Sequence, residues 1–96
     1  MRTVPLLLLS VLGSWACSRP LSEDECHRLL AHYTDALLRS DRPELSAEQR
    51  LRLQHEARSL AARDPAFARC SSEVSRRQFD CAMDAQSVDS MERCLL

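Results

Sequence analysis

The sequence is poor in the residues that form strands and tight turns. It has a single glycine, Gly13, only four prolines, and few valines and threonines. Strands favour β-branched residues and tight hairpins depend on glycine, so little material for a sheet is left. We therefore predict an all-α fold. Lysine, asparagine and isoleucine are absent altogether. Because their codons are rich in A and T, a GC-rich genome is indicated.

Further absences exclude several kinds of site. With its only glycine at position 13, the chain cannot form a glycine-rich phosphate loop. It contains no CxxC pair, and His27, His32 and His55 lack suitable partners at helical spacing. We therefore predict no metal site and expect solvated surface histidines. A c-type haem motif ending at His27 would need cysteine where Glu23 stands. The sequence indicates no enzyme, no cofactor and no small-molecule substrate.

Charge is balanced along the chain. From Cys17 onward there are 80 residues, with 12 arginines and 14 acidic residues, so the net charge is −2. Binding of nucleic acid needs positive charge clustered on one face, and a membrane patch needs a basic cluster. Neither is present, which argues against a nucleic-acid partner. A single small domain of this length has marginal stability from its core alone.

Residues 1–16 have the layout of an export signal. Arg2 precedes an apolar run over residues 4–12. That run is too short to span a hydrocarbon core of about 30 Å, which needs about 20 residues. It fits the apolar region of a signal peptide, which is removed from the mature protein. We divide the chain into a signal peptide (1–16), a lipid-anchored tether (17–21) and a helical domain (22–96).

Two processing routes are open at the end of this signal. Ser14-Trp15-Ala16 satisfies the small-x-small rule of ordinary signal peptidase. A small residue before Cys17 also resembles a bacterial lipobox, although Ser14 and Trp15 depart from its usual leucine and small residue. The five cysteines are an odd number, and a lipid on Cys17 leaves four that can form two disulfides. We predict a lipidated Cys17. The alternative is a freely secreted protein in which Cys17 is a free thiol or links a dimer.

Three capping boxes predict where helices begin. Ser22, Ser46 and Ser75 are each followed, three residues later, by a glutamate or glutamine that can return the hydrogen bond. The first helix is expected to reach about Arg39 and the third to stop near Gln86. Apolar residues recur at helical spacing in the first helix. They are Cys26, Leu29, Leu30, Tyr33 and Leu37.

The second helix should run antiparallel to the first, since the loop over residues 40–44 is short. Its predicted buried stripe is Leu53, Ala57, Leu60 and Ala61, and its predicted solvated face is Arg50, Arg52, His55, Glu56 and Arg58. Asp64-Pro65 ends this helix and can start one further turn that carries Phe67 and Cys70 inward.

The C-terminal part is expected to form a smaller helical hairpin. Residues 71–74 are predicted to be a connector, and Val74 and Phe79 have the spacing of a hydrophobic staple around Ser75. Ser87 or Asp89 can cap a last short helix. The predicted architecture is a disulfide-stapled bundle of two longer helices and a short C-terminal hairpin.

The four remaining cysteines allow three pairings. Cys81 and Cys94 lie on either side of the turn near Ser87, as partners across a hairpin should. Cys26 begins the first helix and should lie near the far end of the second, where Cys70 follows. This favours Cys26–Cys70 with Cys81–Cys94. The pairing of Cys26 with Cys81 and of Cys70 with Cys94 stays open as the alternative.

Two surface features could bind a partner. The arginine-rich face of the second helix has acidic residues interleaved, which is more typical of a solvated face. Four leucines fall off the main apolar stripes. They are either ordinary exposed leucines or the corner of a groove for a partner helix. They are Leu38, Leu51, Leu95 and Leu96.

The layout resembles small bacterial envelope lipoproteins with four cysteines in a helical domain. The resemblance is carried by the segment over residues 78–85, Gln-Phe-Asp-Cys-Ala-Met-Asp-Ala, and by Glu92-Arg93-Cys94. It implies an envelope location and a helical fold. Our leading hypothesis is a non-enzymatic protein that binds an unknown protein partner, and a specific version of it resembles secretion pilotins, which grip a helix of an outer-membrane subunit. In such lipoproteins Ser18 after the acylated cysteine implies an outer-membrane protein that faces the periplasm. The alternative function is that of a freely secreted inhibitor or toxin-like effector.

The mature protein is expected to begin at Cys17, to carry acyl chains and to partition into the detergent phase. Intact mass of protein extracted from its host with and without detergent measures this. Replacing Cys17 with serine should abolish both the added mass and incorporation of labelled palmitate. An unmodified mass in the aqueous phase would instead support the freely secreted alternative.

Overall fold

The computed structural model describes residues 19–96, which form six helices and, within that range, no strand. The predicted all-α fold is confirmed. Residues 1–18 hold the predicted signal peptide and Cys17, so those predictions lie outside the described residues. The helices are α1 (Glu23–Asp41), α2 (Ala47–Ala61), α3 (Pro65–Ala68), α4 (Cys70–Glu73), α5 (Arg76–Asp84) and α6 (Val88–Leu95).

The three predicted capping boxes are present. At the start of α1 the Ser22 amide donates to Glu25 Oε1 (2.9 Å), and the Glu25 amide donates to Ser22 Oγ (3.1 Å). Ser46 and Ser75 make the same reciprocal pairs with Gln49 and Gln78. These bonds satisfy amides that a helix cannot pair internally. They fix where α1, α2 and α5 begin.

Two boundaries differ from expectation. Cys70–Glu73 forms α4 shortly after α3, so most of the predicted connector over residues 71–74 is helical. In the other direction α5 ends at Asp84, before the expected Gln86, and Ser87 then caps α6 by accepting from the Ser90 amide (3.2 Å). The part of the chain after Pro65 is thus a series of short helices.

A polar network holds α1 against α2. Asp35 on α1 accepts from Arg50 Nε (3.0 Å) and Gln54 Nε2 (3.2 Å) of α2, and its second oxygen pairs with Arg39 Nε (2.9 Å). Arg50 also donates to the Leu45 carbonyl (3.2 Å). The prediction that Arg50 belongs to the solvated face is therefore wrong, since this side chain is half-buried between the helices.

The predicted buried stripe of α2 is also wrong in degree. No residue of α2 is fully buried, and Leu60 is 68% exposed. Leu53, Ala57 and Ala61 are half-buried. The physical reason is that α2 packs mainly against α1, whereas α5 and α6 pack on another part of α1. A helix with a single neighbour covers only a narrow stripe.

The core lies where α1, α5 and α6 meet. Its central cluster contains Leu21, Cys26, Leu29, Phe79 and Ala82, and Met91 of α6 is fully buried. Leu21 is the last residue of the predicted tether, yet it is only 3% exposed. It precedes the N-cap Ser22, and with Cys26 at the fourth helical position it has the spacing of a hydrophobic staple. The tether therefore ends inside the core.

Two disulfides cross-link the helices of this small domain. The structure joins Cys26 to Cys70 and Cys81 to Cys94, the pairing that the spacing favours, with Cα–Cα distances of 6.2 and 5.6 Å. The first ties α1 to α4 and the second ties α5 to α6. Their sequence separations of 44 and 13 residues correspond to loop-closure stabilisation of about 4 and about 3 kcal/mol. Among residues 19–96 no helix is both long and apolar enough to cross a membrane.

An ion pair ties the start of α1 to the start of α5. Both terminal nitrogens of Arg76 donate to the Glu25 carboxylate, and Arg76 Nη2 lies 3.0 Å from Oε1. The Arg76 hydrogen bonds, followed by that of the Ser22 amide, lower the pKa of Glu25 from its ordinary value of 4.5 to about 2. One carboxylate thus serves both the capping box of α1 and the contact between two helices.

Arg76→Gln is expected to lower the melting temperature by a few degrees at pH 7 and by much less at pH 2. Glu25 titrates near 4.5 in the unfolded chain and at about 2 in the folded one. Stability from the pair is therefore fully present above about pH 4.5 and is lost as the pH falls towards 2. Thermal melts followed by circular dichroism across this range measure the difference.

The matched control is Arg77→Gln, which removes the same charge one residue further along. Arg77 is exposed and forms no ion pair within the described residues. It should leave the melting temperature nearly unchanged at every pH. An equal loss from both variants, or a loss from Arg76→Gln that does not change with pH, would contradict the assigned role of Glu25.

Candidate functional site

An apolar groove of about 400 Å³ lies between α1 and the end of α6. We call it the α1–α6 groove. Helix α1 supplies one wall because its residues at positions 26, 29, 30 and 33 recur at helical spacing and share one face. The second half of that stripe is only half-buried, so it remains available on the surface. The side chains of this wall are Cys26, Leu29, Leu30 and Tyr33.

The opposite wall comes from two separate parts of the chain. Phe67 of α3 and Cys70 of α4 close one end, and Glu92, Leu95 and Leu96 from the end of α6 form the other side. Leu96 is 97% exposed, so the apolar surface continues from the groove onto the outside of the molecule. The groove is therefore open along this side.

Both disulfides help to set the shape of the groove. The Cys26–Cys70 bond is itself part of the lining and holds α4, with the adjoining Phe67, against α1. The Cys81–Cys94 bond fixes the end of α6, and Gln78 Nε2 donates to the Leu95 carbonyl (3.3 Å). The two walls are thus attached to the core by covalent bonds as well as by packing.

Glu92 carries the one charged side chain that lines the groove. Tyr33 of α1 lines the same groove. Burial, followed by the charge of Glu92 and a hydrogen bond to it, raises the pKa of Tyr33 above its ordinary value of 10.0. An otherwise apolar lining therefore carries one acid at its rim, with a phenolic hydroxyl beside it.

The predicted site residues fall into three groups. The cysteines at 26, 70, 81 and 94 form the two disulfides, whereas Cys17 lies outside the described residues. Of the four leucines off the main stripes, Leu95 and Leu96 line the groove. Leu38 is half-buried, and Leu51 is 58% exposed in a separate shallow hollow beside α2.

Two histidines differ from the prediction of solvated surface positions. His27 is only 13% exposed, stacks against Phe67 with ring centroids 5.2 Å apart, and has a buried Nδ1 with no partner among the described residues. His32 Nε2 donates to the Ala85 carbonyl (2.8 Å), because a carbonyl oxygen can only accept. His55 is exposed. Within residues 19–96 no three potential ligands group to hold a metal ion.

Sequence reasoning did not identify Tyr33, Phe67 and Glu92 as members of one site. The sequence predicts Tyr33 and Phe67 as ordinary inward-facing residues. It indicates Glu92 only as part of the segment Glu92-Arg93-Cys94. Their meeting depends on how α3 and α6 fold back onto α1, which no local pattern encodes. The one available signal is that Leu95 and Leu96 fall off the main apolar stripes.

Glu92→Gln is expected to lower the pKa of Tyr33 towards 10 while leaving it above that value. Removing the carboxylate charge eliminates one cause of the shift, and burial of the phenol remains. Tyr33 is the only tyrosine in the chain, so the ultraviolet absorbance of its phenolate reports this one group. Circular dichroism recorded in parallel verifies that the helices persist at high pH.

Asp89→Asn serves as the control because Asp89 is an exposed acid on the same helix that does not line the groove. It should leave the titration curve in place. A wild-type pKa at the ordinary tyrosine value, or equal shifts in the two variants, would show that Glu92 and Tyr33 do not interact in solution.

No protein-family model, curated protein or solved structure matches this chain. What the protein does must therefore be argued from its own geometry. The candidate site is the α1–α6 groove. It is an open apolar surface with a single acidic side chain at its rim and a disulfide-bonded cysteine pair in its lining.

Proposed function

We propose that this protein is an exported envelope lipoprotein, anchored through Cys17, that acts by binding another protein in the α1–α6 groove. The observation that carries the proposal is an open apolar groove whose walls are held by two disulfides. On this proposal the protein faces the periplasm from the outer membrane and has no catalytic role.

The disulfides support export. Bonds of this kind persist in oxidising compartments and are rare where glutathione and thioredoxin keep thiols reduced. Small exported domains rely on them because their cores are too small to be stable alone. The pattern of residues 1–16 is that of an export signal, whose removal would leave Cys17 at the start of the mature chain. Leu21 is seated in the core only four residues further along.

The composition of the groove favours binding over catalysis. Its lining offers one carboxylate and one phenol, and both of its cysteines are consumed in a disulfide. Nucleophilic catalysis needs an activated nucleophile beside a base, and this lining provides no such pair. Small-molecule sites enclose most of their ligand's surface. Here the groove opens at Leu96 onto the outside of the molecule, which suits a larger partner.

An amphipathic helix is the partner segment that fits best. The groove is bounded by helices, and residues 19–96 contain no strand whose edge a peptide could extend. Helices dock in apolar grooves through side chains spaced at i, i+3 or i+4, and i+7. In its most specific form the proposal is a pilotin-like role, in which the protein escorts an outer-membrane subunit by holding one of its helices.

A photo-crosslinking residue placed at Leu96 in intact cells is expected to yield a discrete product with an outer-membrane protein, identified by mass spectrometry. The same residue at Leu60 is the matched control, because Leu60 is an exposed leucine of α2 that does not line the groove. Leu30→Glu should greatly reduce the product formed at Leu96, since it places a charge in the apolar wall.

The proposal fails if Leu96 and Leu60 give the same products, or if Leu30→Glu changes nothing while circular dichroism verifies its fold. Cell fractionation tests the lipid anchor independently of the binding site. Recovery of the full-length mature protein from culture fluid would support the freely secreted alternative, whatever the crosslinking result.

A further inference from the structure

We infer that the helix bound in the α1–α6 groove carries an arginine or lysine at the edge of its apolar face, and that this residue pairs with Glu92. The inference rests on the proposed function and adds the chemistry of the partner. Its observation is the position of Glu92, the one charged side chain in an otherwise apolar lining.

A partner that covers Glu92 must displace water from its carboxylate, which costs free energy. In the free protein this residue is exposed, and water solvates its carboxylate. An occupant that fills the groove removes part of that water. Leaving a carboxylate desolvated and unpaired is costly, and truncating one partner of a buried charge pair weakens complexes strongly. The hydroxyl of Tyr33 is a single donor, whereas a carboxylate has about four acceptor positions.

The chain does not supply the missing cation itself. Its other acids at packed surfaces have arginine partners, since Glu25 pairs with Arg76 and Asp35 pairs with Arg39 and Arg50. Within the described residues no basic side chain forms an ion pair with Glu92, because each such pair involves a different acid.

Arg93, the residue next to Glu92, does not supply this positive charge either. Arg93 follows Glu92 directly, but adjacent helical residues do not face each other, and Arg93 does not line the groove. Glu92 also lies in the last turn of α6, where the helix dipole adds negative potential. The rim is therefore complementary to a positive group. An arginine can meet the carboxylate with two hydrogen bonds, and a lysine can meet it as a point charge.

Selection from a displayed library of amphipathic helices shows which residues the groove prefers in a bound helix. The displayed helices are about 15 residues long, near the length at which isolated helices form. The apolar positions and both flanking positions are randomised. The bait is the full mature chain in its Cys17→Ser form, so that no lipid competes for the helices. Clones retained by the wild-type groove, and lost on Leu30→Glu, are sequenced.

The expected pool is enriched in arginine and lysine at one fixed flanking position. Selection on Glu92→Arg should enrich aspartate and glutamate there, whereas Asp89→Arg, which adds the same charge outside the groove, should select the wild-type pool. For individual peptides, replacing the selected basic residue with glutamate should weaken binding to the wild-type protein by about tenfold or more.

Two results overturn the inference, and they differ in what they mean for the proposed function. A pool that binds through the groove but shows no charge preference removes the role of Glu92 and leaves helix binding in place. A library that gives no clones sensitive to Leu30→Glu removes helix binding and the inference together.

Discussion

The bond between Cys26 and Cys70 is the constraint on which most of this structure depends. Cys26 is 3% exposed and lies in the central cluster, and its bond crosses 44 residues to α4. Helices of four residues, such as α3 and α4, have no stability of their own in water. Held by this bond, they bring Phe67 against α1. Cys26 and Cys70 are also both part of the groove lining.

Different interactions hold the neighbouring helices on two sides of α1. Towards the tip of the α1–α2 hairpin, Asp35 and Arg50 hold the helices together through hydrogen bonds, and α2 buries no side chain completely. On another side of α1, α5 and α6 share an apolar core with this helix, and Met91 is fully buried. Partly exposed ion pairs such as that of Asp35 with Arg50 contribute little, whereas buried area and loop closure contribute more. The groove lies on the side of α1 that carries the apolar core.

Local signals predicted the helices well because they act over a few residues. The capping boxes at Ser22, Ser46 and Ser75 depend only on a serine and a residue three positions later. Burial was predicted less well, since it depends on which neighbours a helix acquires. Leu60 is exposed because α2 has α1 as its main neighbour, and Leu21 is buried because the chain enters α1 through the core. The groove is a tertiary feature and had no signal beyond Leu95-Leu96.

A small domain normally needs its apolar residues for its core, so a groove lined by leucines and aromatics requires explanation. About 80 residues bury too little surface to be stable with many large side chains outside. Loop closure by the two disulfides, about 7 kcal/mol together, offsets that deficit without burying any additional side chain. Leu30, Leu96 and Tyr33 can then remain at the surface without loss of the fold. The two parts of the proposed function, export and groove binding, are connected for this reason, since the disulfides that make such an apolar surface tolerable persist in oxidising compartments.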